Sequence, residues 1–257
     1  GVPKNPEEGI RWIRKSLEVQ YDPETAAEMS SLYAAEGNWA EAENWLEKAA
    51  EKGDLESLKN AGRKYAKTNP QKALRFLRAA ADKGDIESMF LTGDIMCSSK
   101  YDEKTFIQGT EYLKQAAEKG NIDACYTLAF LYWKGNGVDE DIKKASYLFR
   151  KAAEGGKKEA QYEYGMCCYN GEGMVKPDYK SSFMWLEKSA KSGYPLGKLG
   201  LALCYWKGAG TLKDLEKAAS LAEESRNDEQ NARYPDLARI EGAAAVLEAI
   251  RKEMACI

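Results

Sequence analysis

The sequence predicts an all-α fold, an α-solenoid of stacked antiparallel helix pairs, and three observations predict it. First, a phrase of small residues closed by glycine recurs five times: KAAEKG ending at Gly53, RAAADKG at Gly84, KQAAEKG at Gly120, KAAEGG at Gly156 and KSAKSG at Gly193. Second, these glycines stand 31, 36, 36 and 37 residues apart. That period fits two helices of about 12 to 14 residues and two short connections. Third, start and stop signals share the period. Glycine suits the left-handed position that closes a helix, and Asp141, Asp178 and Asp214 suit the N-cap of the helix that follows.

Taken in order, residues 9–20 read as the second half of a repeat, 22–53 as repeat 1 and 54–84 as a short repeat 2, in which Pro70 follows Tyr65 almost directly. Residues 85–120 make repeat 3, where Ser98 to Glu103 replaces a glycine loop. Repeats 4 (121–156), 5 (157–193) and 6 (194–225) follow. Counted from the leading glycines of these three, Ala129, Gly165 and Ala202 coincide nine residues on, Gly135, Gly171 and Gly208 fifteen on, and Gly137, Gly173 and Gly210 seventeen on. The small residue lets helices approach closely, and the paired glycines mark the turn between them. Residues 235–255 read as a capping helix, with Leu237, Ile240, Ala244, Leu247, Ile250 and Met254 at helical spacing. One repeat cannot bury its own apolar face, so residues 1–257 are expected to form a single stacked domain with a capped end.

Ala124, Leu128, Tyr132, Gly135, Gly137, Val138, Ala145, Lys151, Ala152 and Ala153 fit one pattern nearly throughout: a small-x-x-x-Leu-Gly first helix, a G-x-G-V loop and a second helix ending in K-A-A-E-x-G. In these residues the chain resembles the Sel-1-like repeat, a relative of the tetratricopeptide repeat. The copy from Gly156 to Gly193 fits about as well, the segments from Gly53 and Gly84 depart from it, and Pro23 to Gly53 reads as more tetratricopeptide-like. The resemblance implies a right-handed superhelix whose first helices line a concave groove; periodicity alone does not distinguish the two faces.

Composition narrows the function. Lysine and arginine total 38 against 41 acids, a net charge of −3, which offers no general attraction for phosphate backbones or anionic lipid. No nucleic-acid partner is expected. No apolar run approaches the roughly 20 residues of a bilayer span, so no membrane span is expected either. Gly1 in place of methionine reads as a processed or trimmed start, with room for a removed export signal; for a bacterial chain this favours the periplasm or envelope over the cytoplasm. Histidine is absent, which removes Ser-His-Asp and Cys-His nucleophiles, histidine zinc sites and histidine-ligated haem. Cys97, Cys125, Cys167, Cys168, Cys204 and Cys256 contain no C-x-x-C pair, so no metal or cofactor is expected, and buried reduced thiols are expected over disulfides.

On each first helix, positions 4, 8, 11 and 12 after the leading glycine share one side and are expected in the core. Positions 6, 10 and 13 lie almost opposite and carry Tyr126, Phe130 and Trp133, then Tyr162, Met166 and Tyr169, then Leu199, Leu203 and Trp206. In the two earlier repeats the same places hold Phe90, Asp94 and Cys97, then Lys59, Arg63 and Ala66, so this face changes from polar to aromatic along the chain. The resemblance implies that these positions face a partner, with Lys59, Arg63 and Asp94 at the polar end; tyrosine and tryptophan are frequent interface anchors. A second reading stands beside it: the aromatics only pack neighbouring repeats. No catalytic residue is assigned. Acidic pairs such as Glu140 with Asp141 belong to a solvated surface, the G-x-G loops join helices without a following G-K-[ST], and the lysines beside Trp133 and Trp206 recur with the unit.

The expected function is that of a non-catalytic adaptor or scaffold, monomeric on its own, holding another protein or a peptide segment. The resemblance implies an alternative, an immunity or inhibitor protein that neutralises a secreted toxin or enzyme. An enzyme with carboxylate or lysine chemistry, and a subunit buried against a second copy, are the remaining classes.

Overall fold

The structure, a computed structural model, describes residues 6–98, 102–230 and 237–256, and among them the chain forms fourteen α-helices and no strand. Residues 1–121 and 122–257 are two compact units. The first contains α1 (Pro6–Val19), α2 (Pro23–Ala35), α3 (Trp39–Glu51), α4 (Leu55–Tyr65), α5 (Pro70–Asp82), α6 (Ile86–Met96) and α7 (Glu103–Glu118). The second contains α8 (Ile122–Lys134), α9 (Ile142–Glu154), α10 (Lys158–Asn170), α11 (Tyr179–Lys191), α12 (Pro195–Lys207), α13 (Leu215–Gln230) and α14 (Leu237–Met254). Within each unit every helix packs against the next in sequence, which is the α-solenoid arrangement of antiparallel pairs.

Local chemistry sets the helix ends. The side chains of Asp54, Asp85, Asp141 and Asp178 accept from the backbone amides of Ser57, Ser88, Lys144 and Ser181 at 2.7, 2.8, 2.9 and 3.1 Å, and Asp214 accepts from that of Lys217 at 3.0 Å. Each satisfies one of the amides a helix start leaves without a partner. At the other end, Gly53, Gly84, Gly120, Gly156 and Gly193 all have φ between 72° and 93°, the left-handed conformation that lets the chain reverse into the next helix.

Small residues set how closely the pairs approach. In unit 2 the fully buried Leu186 of α11 lies against Gly165 of α10 and Gly200 of α12. A Cβ at Gly165 would fall 2.8 Å from Leu186 Cγ, and one at Gly200 would fall 2.6 Å from its Cδ2. One leucine thus fills the space two absent side chains leave open.

Two core expectations need correction. Tyr132, Tyr164 and Tyr205, expected inside, are only half-buried, because a tyrosine buries its ring while its hydroxyl stays at the edge. On α14, Ala243, Leu247 and Ile250 are the buried residues, whereas Ala244 is half-buried and Met254 is exposed. The inward stripe therefore runs one residue ahead of the expected one at its start and ends before Met254. Pro235, and the side chains of Leu237 and Ile240, lie outside the described residues.

Candidate protein-binding face

All nine residues expected on the face of α8, α10 and α12 are half-buried. On α8, Tyr126, Phe130 and Trp133 gather round Phe149 of α9, which is fully buried. Their ring centroids lie 6.0, 4.9 and 5.9 Å from that of Phe149, each in an edge-on arrangement. Each ring gives one side to the core of its own repeat and keeps part of its surface accessible. Tyr162 of α10 meets Tyr194 edge-on at 5.8 Å, and Tyr169 meets Tyr179 at 5.6 Å. Met166 and Tyr169 pack on the Leu186, Leu201 and Cys204 cluster, while Leu199 and Trp206 of α12 pack on Ala202, Ala218, Leu247 and Ile250.

Trp133 and Trp206 share a phase but not an environment. Trp206 Nε1 donates to Glu253 Oε2 at 2.6 Å, and Lys207 Nζ sits 3.7 Å from its ring centroid. Glu253 belongs to α14 and also takes an ion pair from Lys213. The repeated Trp-Lys-Gly string thus marks a particular contact at its second occurrence, supplied by a helix that packs there.

Electrostatics single out a residue the periodicity does not. Glu163 of α10 is half-buried, and no hydrogen bond or ion pair to it is present among the described residues. Loss of water pushes its carboxyl up to about 7, with Arg239 of α14 pulling down and Glu172 adding to the rise. Burial raises Tyr126, Tyr162 and Tyr194 as well, and the charge of Glu163 contributes to all three, with Tyr162 pushed up to about 12. Arg239 Nη1 itself lies 3.5 Å from Oε1 of the buried Glu229. One signal in the sequence points to Glu163: seven residues after the leading glycine the three full repeats carry Thr127, Glu163 and Gly200, so only the middle one is charged. Nothing local announces Arg239, since α14 lies outside the repeat pattern.

The residues of unit 1 at these positions are engaged with their neighbours. Lys59 Nζ lies 3.2 Å from Glu56 and 3.5 Å from Asp85, and Arg63 donates to both carboxylate oxygens of Glu87, its Nε at 2.9 Å. Lys59 and Arg63 thereby tie α4 to the start of α6. Phe90 is half-buried and Asp94 exposed. Cys97 is half-buried, and its Sγ lies 3.6 Å from the carbonyl oxygen of Phe106.

The six cysteines are free thiols, and burial pushes Cys167 up to about 12 and Cys168 and Cys204 to about 11. Such thiols stay protonated and unreactive at neutral pH. Among the described residues no group of three or more metal-ligating side chains is placed to hold an ion, and no helix is long and apolar enough to cross a membrane.

Comparison with known proteins places this architecture. The Sel1 repeat model matches residues 1–18, 40–54, 60–85, 88–121, 122–157, 158–194 and 196–226. A Sel1 repeat protein from Oxalobacter formigenes is similar in structure with a TM-score of 0.71 and 26% identity, over 95% of this chain and 77% of that one. A protective antigen of uropathogenic Escherichia coli displaying an SLR fold superposes with a TM-score of 0.74 at 21% identity, over 96% of this chain; the chain spans 57% of that protein's length. An immunity protein from Pseudomonas aeruginosa matches at 18% identity with a TM-score of 0.42, over 83% of this chain and 74% of that one, a likeness too distant to carry an argument. No curated protein matches the chain significantly. With the family pattern recurring along most of its length and the helix pairs stacked as that pattern requires, the chain belongs to the Sel1 repeat family.

Proposed function

We propose that the chain is a non-catalytic adaptor that holds a segment of another protein against the α8, α10 and α12 face of its second unit. The observation that carries this reading is the continuity of that face. Three successive repeats present Tyr126, Phe130 and Trp133, then Tyr162, Met166 and Tyr169, then Leu199, Leu203 and Trp206, all half-buried. Large side chains fixed by packing on one flank lose little freedom when a partner covers the other, which is what makes such residues effective anchors. Lys59, Arg63 and Asp94 have the opposite character. Lys59 and Arg63 are ion-paired within unit 1, which commits their charges to holding α4 against α6.

The test replaces Leu203 with glutamate and Tyr162 with serine, two changes that spare Phe149 and its ring cluster. Expected is at least a tenfold loss of partner capture from source-cell lysate, with melting within a few degrees of wild type. Unchanged capture by both folded variants overturns the assignment of this face. Concentration-dependent self-association in light scattering, abolished by the same substitutions, assigns it to a second copy instead.

A further inference from the structure

We propose that unit 1 holds a binding site of its own, an open cavity between α1 and α3 that receives a small organic anion, a carboxylate carried on an apolar ring. The site is separate from the α8, α10 and α12 face and does not depend on the docking reading above.

Helical phase builds the cavity. Arg14, Leu17 and Glu18 share one side of α1, and Trp45, Lys48 and Lys52 share one side of α3 and its cap. With Tyr21, in the corner between α1 and α2, they line a space of about 460 Å3, within the range of about 300 to 1,000 Å3 usual for small-molecule sites. Leu17, Trp45 and the Tyr21 ring supply its apolar surface, which an apolar ligand covers with release of water.

The positive charges of this lining are held in place without being neutralised. Lys48 Nζ lies 4.4 Å from the centre of the Trp45 ring and Lys52 Nζ 5.8 Å from that of Tyr21. A ring face attracts an ammonium but carries no net charge to cancel it. Arg14 donates from Nη2 to the Tyr33 hydroxyl, another neutral partner. Among the described residues, no carboxylate pairs with any of these three cations. Of the two acids in the lining, Glu51 is paired at 2.8 Å with Arg75, which lies outside it. Glu18 alone remains to oppose them.

A cation at the C-terminal end of α3 suits the helix dipole, and that accounts for Lys48 and Lys52 by themselves. It does not account for Arg14 of α1 lining the same open, partly apolar space. The two lysines stand one helical turn apart, about 6 Å along the axis, a spacing that a single carboxylate bridges with charge-assisted hydrogen bonds while the attached ring covers the apolar surface. Glu18 repels a second negative charge, so a compact monoanion fits better than a polyanion.

The experiment titrates the intact nitrogen-15-labelled chain at pH 7 with naphthoate and with naphthamide, which keeps the ring and loses the charge. The readout is the indole N–H resonance of Trp45, identified by its absence in Trp45→Phe. Expected is a saturable shift of that resonance, with naphthamide binding at least tenfold more weakly than naphthoate. Lys48→Gln combined with Lys52→Gln lowers naphthoate affinity tenfold or more, leaves naphthamide affinity unchanged and melts within a few degrees of wild type. Leu203→Glu, on the docking face, changes neither affinity. The blocked peptide acetyl-Asp-Phe-Asp-amide tests whether the anion arrives instead on a protein segment, and is expected to bind at least tenfold more weakly than naphthoate. No saturable shift at Trp45, equal affinity for naphthoate and naphthamide, full naphthoate affinity in the lysine double variant, or peptide binding as tight as that of naphthoate each overturn the proposal.

Discussion

Replacing Glu163 with glutamine should make the protein more stable at alkaline pH and leave it unchanged in acid. In the folded chain the carboxyl is pushed up to about 7 from an ordinary value of 4.5. The folded state therefore binds the proton more tightly than the unfolded one. Its stabilising contribution is complete below pH 4.5 and is lost as pH rises through 7, where the folded protein must hold a poorly hydrated charge. The difference in proton affinity corresponds to about 3 kcal/mol at most, a ceiling because the half-buried side chain keeps some water. Glutamine has the same shape and no charge to hold. Urea unfolding of both proteins at pH 5, 6, 7 and 8, followed by far-ultraviolet circular dichroism, should give midpoints that nearly coincide at pH 5 and diverge progressively to pH 8, with glutamine the more stable. A gap that stays constant with pH, or a wild type that is the more stable at pH 8, refutes the account of this residue.

Three further outcomes follow from the same structure. Arg239→Gln removes a positive charge that pulls Glu163 down, so the carbon-13 chemical shift of its carboxyl should titrate at a higher pH than in wild type. Phe149→Ala takes away the fully buried ring that Tyr126, Phe130 and Trp133 surround; unfolding should show a loss of about 3 to 5 kcal/mol, with tryptophan emission moving to longer wavelength. Gly165→Val drives a side chain into Leu186, whose Cγ would lie 2.8 Å from the new Cβ, and calorimetry should record a loss of about 1 to 3 kcal/mol.

What the sequence made legible was whatever repeats. The aspartate caps at Asp141, Asp178 and Asp214 and the left-handed glycines at Gly120, Gly156 and Gly193 act through bonds a few residues long, so their spacing alone locates helix starts and ends. The face of α8, α10 and α12 was legible as a stripe, because helical phase is a local property. Its inner partner Phe149 was not, since the pairing of α8 with α9 sets which side of each ring is covered. Least visible were Glu163 and Arg239: the pull of one on the other depends on how α14 packs within unit 2, and no short-range pattern encodes that. Trp133 and Trp206 make the same point, identical in repeat position but separated by the presence of Glu253.

Glu253 shows how α14 is fastened to the helices before it. A single carboxylate near the end of α14 grips both the Trp206 indole at the close of α12 and the Lys213 ammonium ahead of α13, while Leu247 and Ile250 sit within two turns upstream in the apolar layer. Detachment of α14 is thereby divided into two steps. Acid or salt weakens the Glu253 clasp first, and the apolar layer behind it yields later, so α14 stays seated under conditions that already loosen its polar contacts.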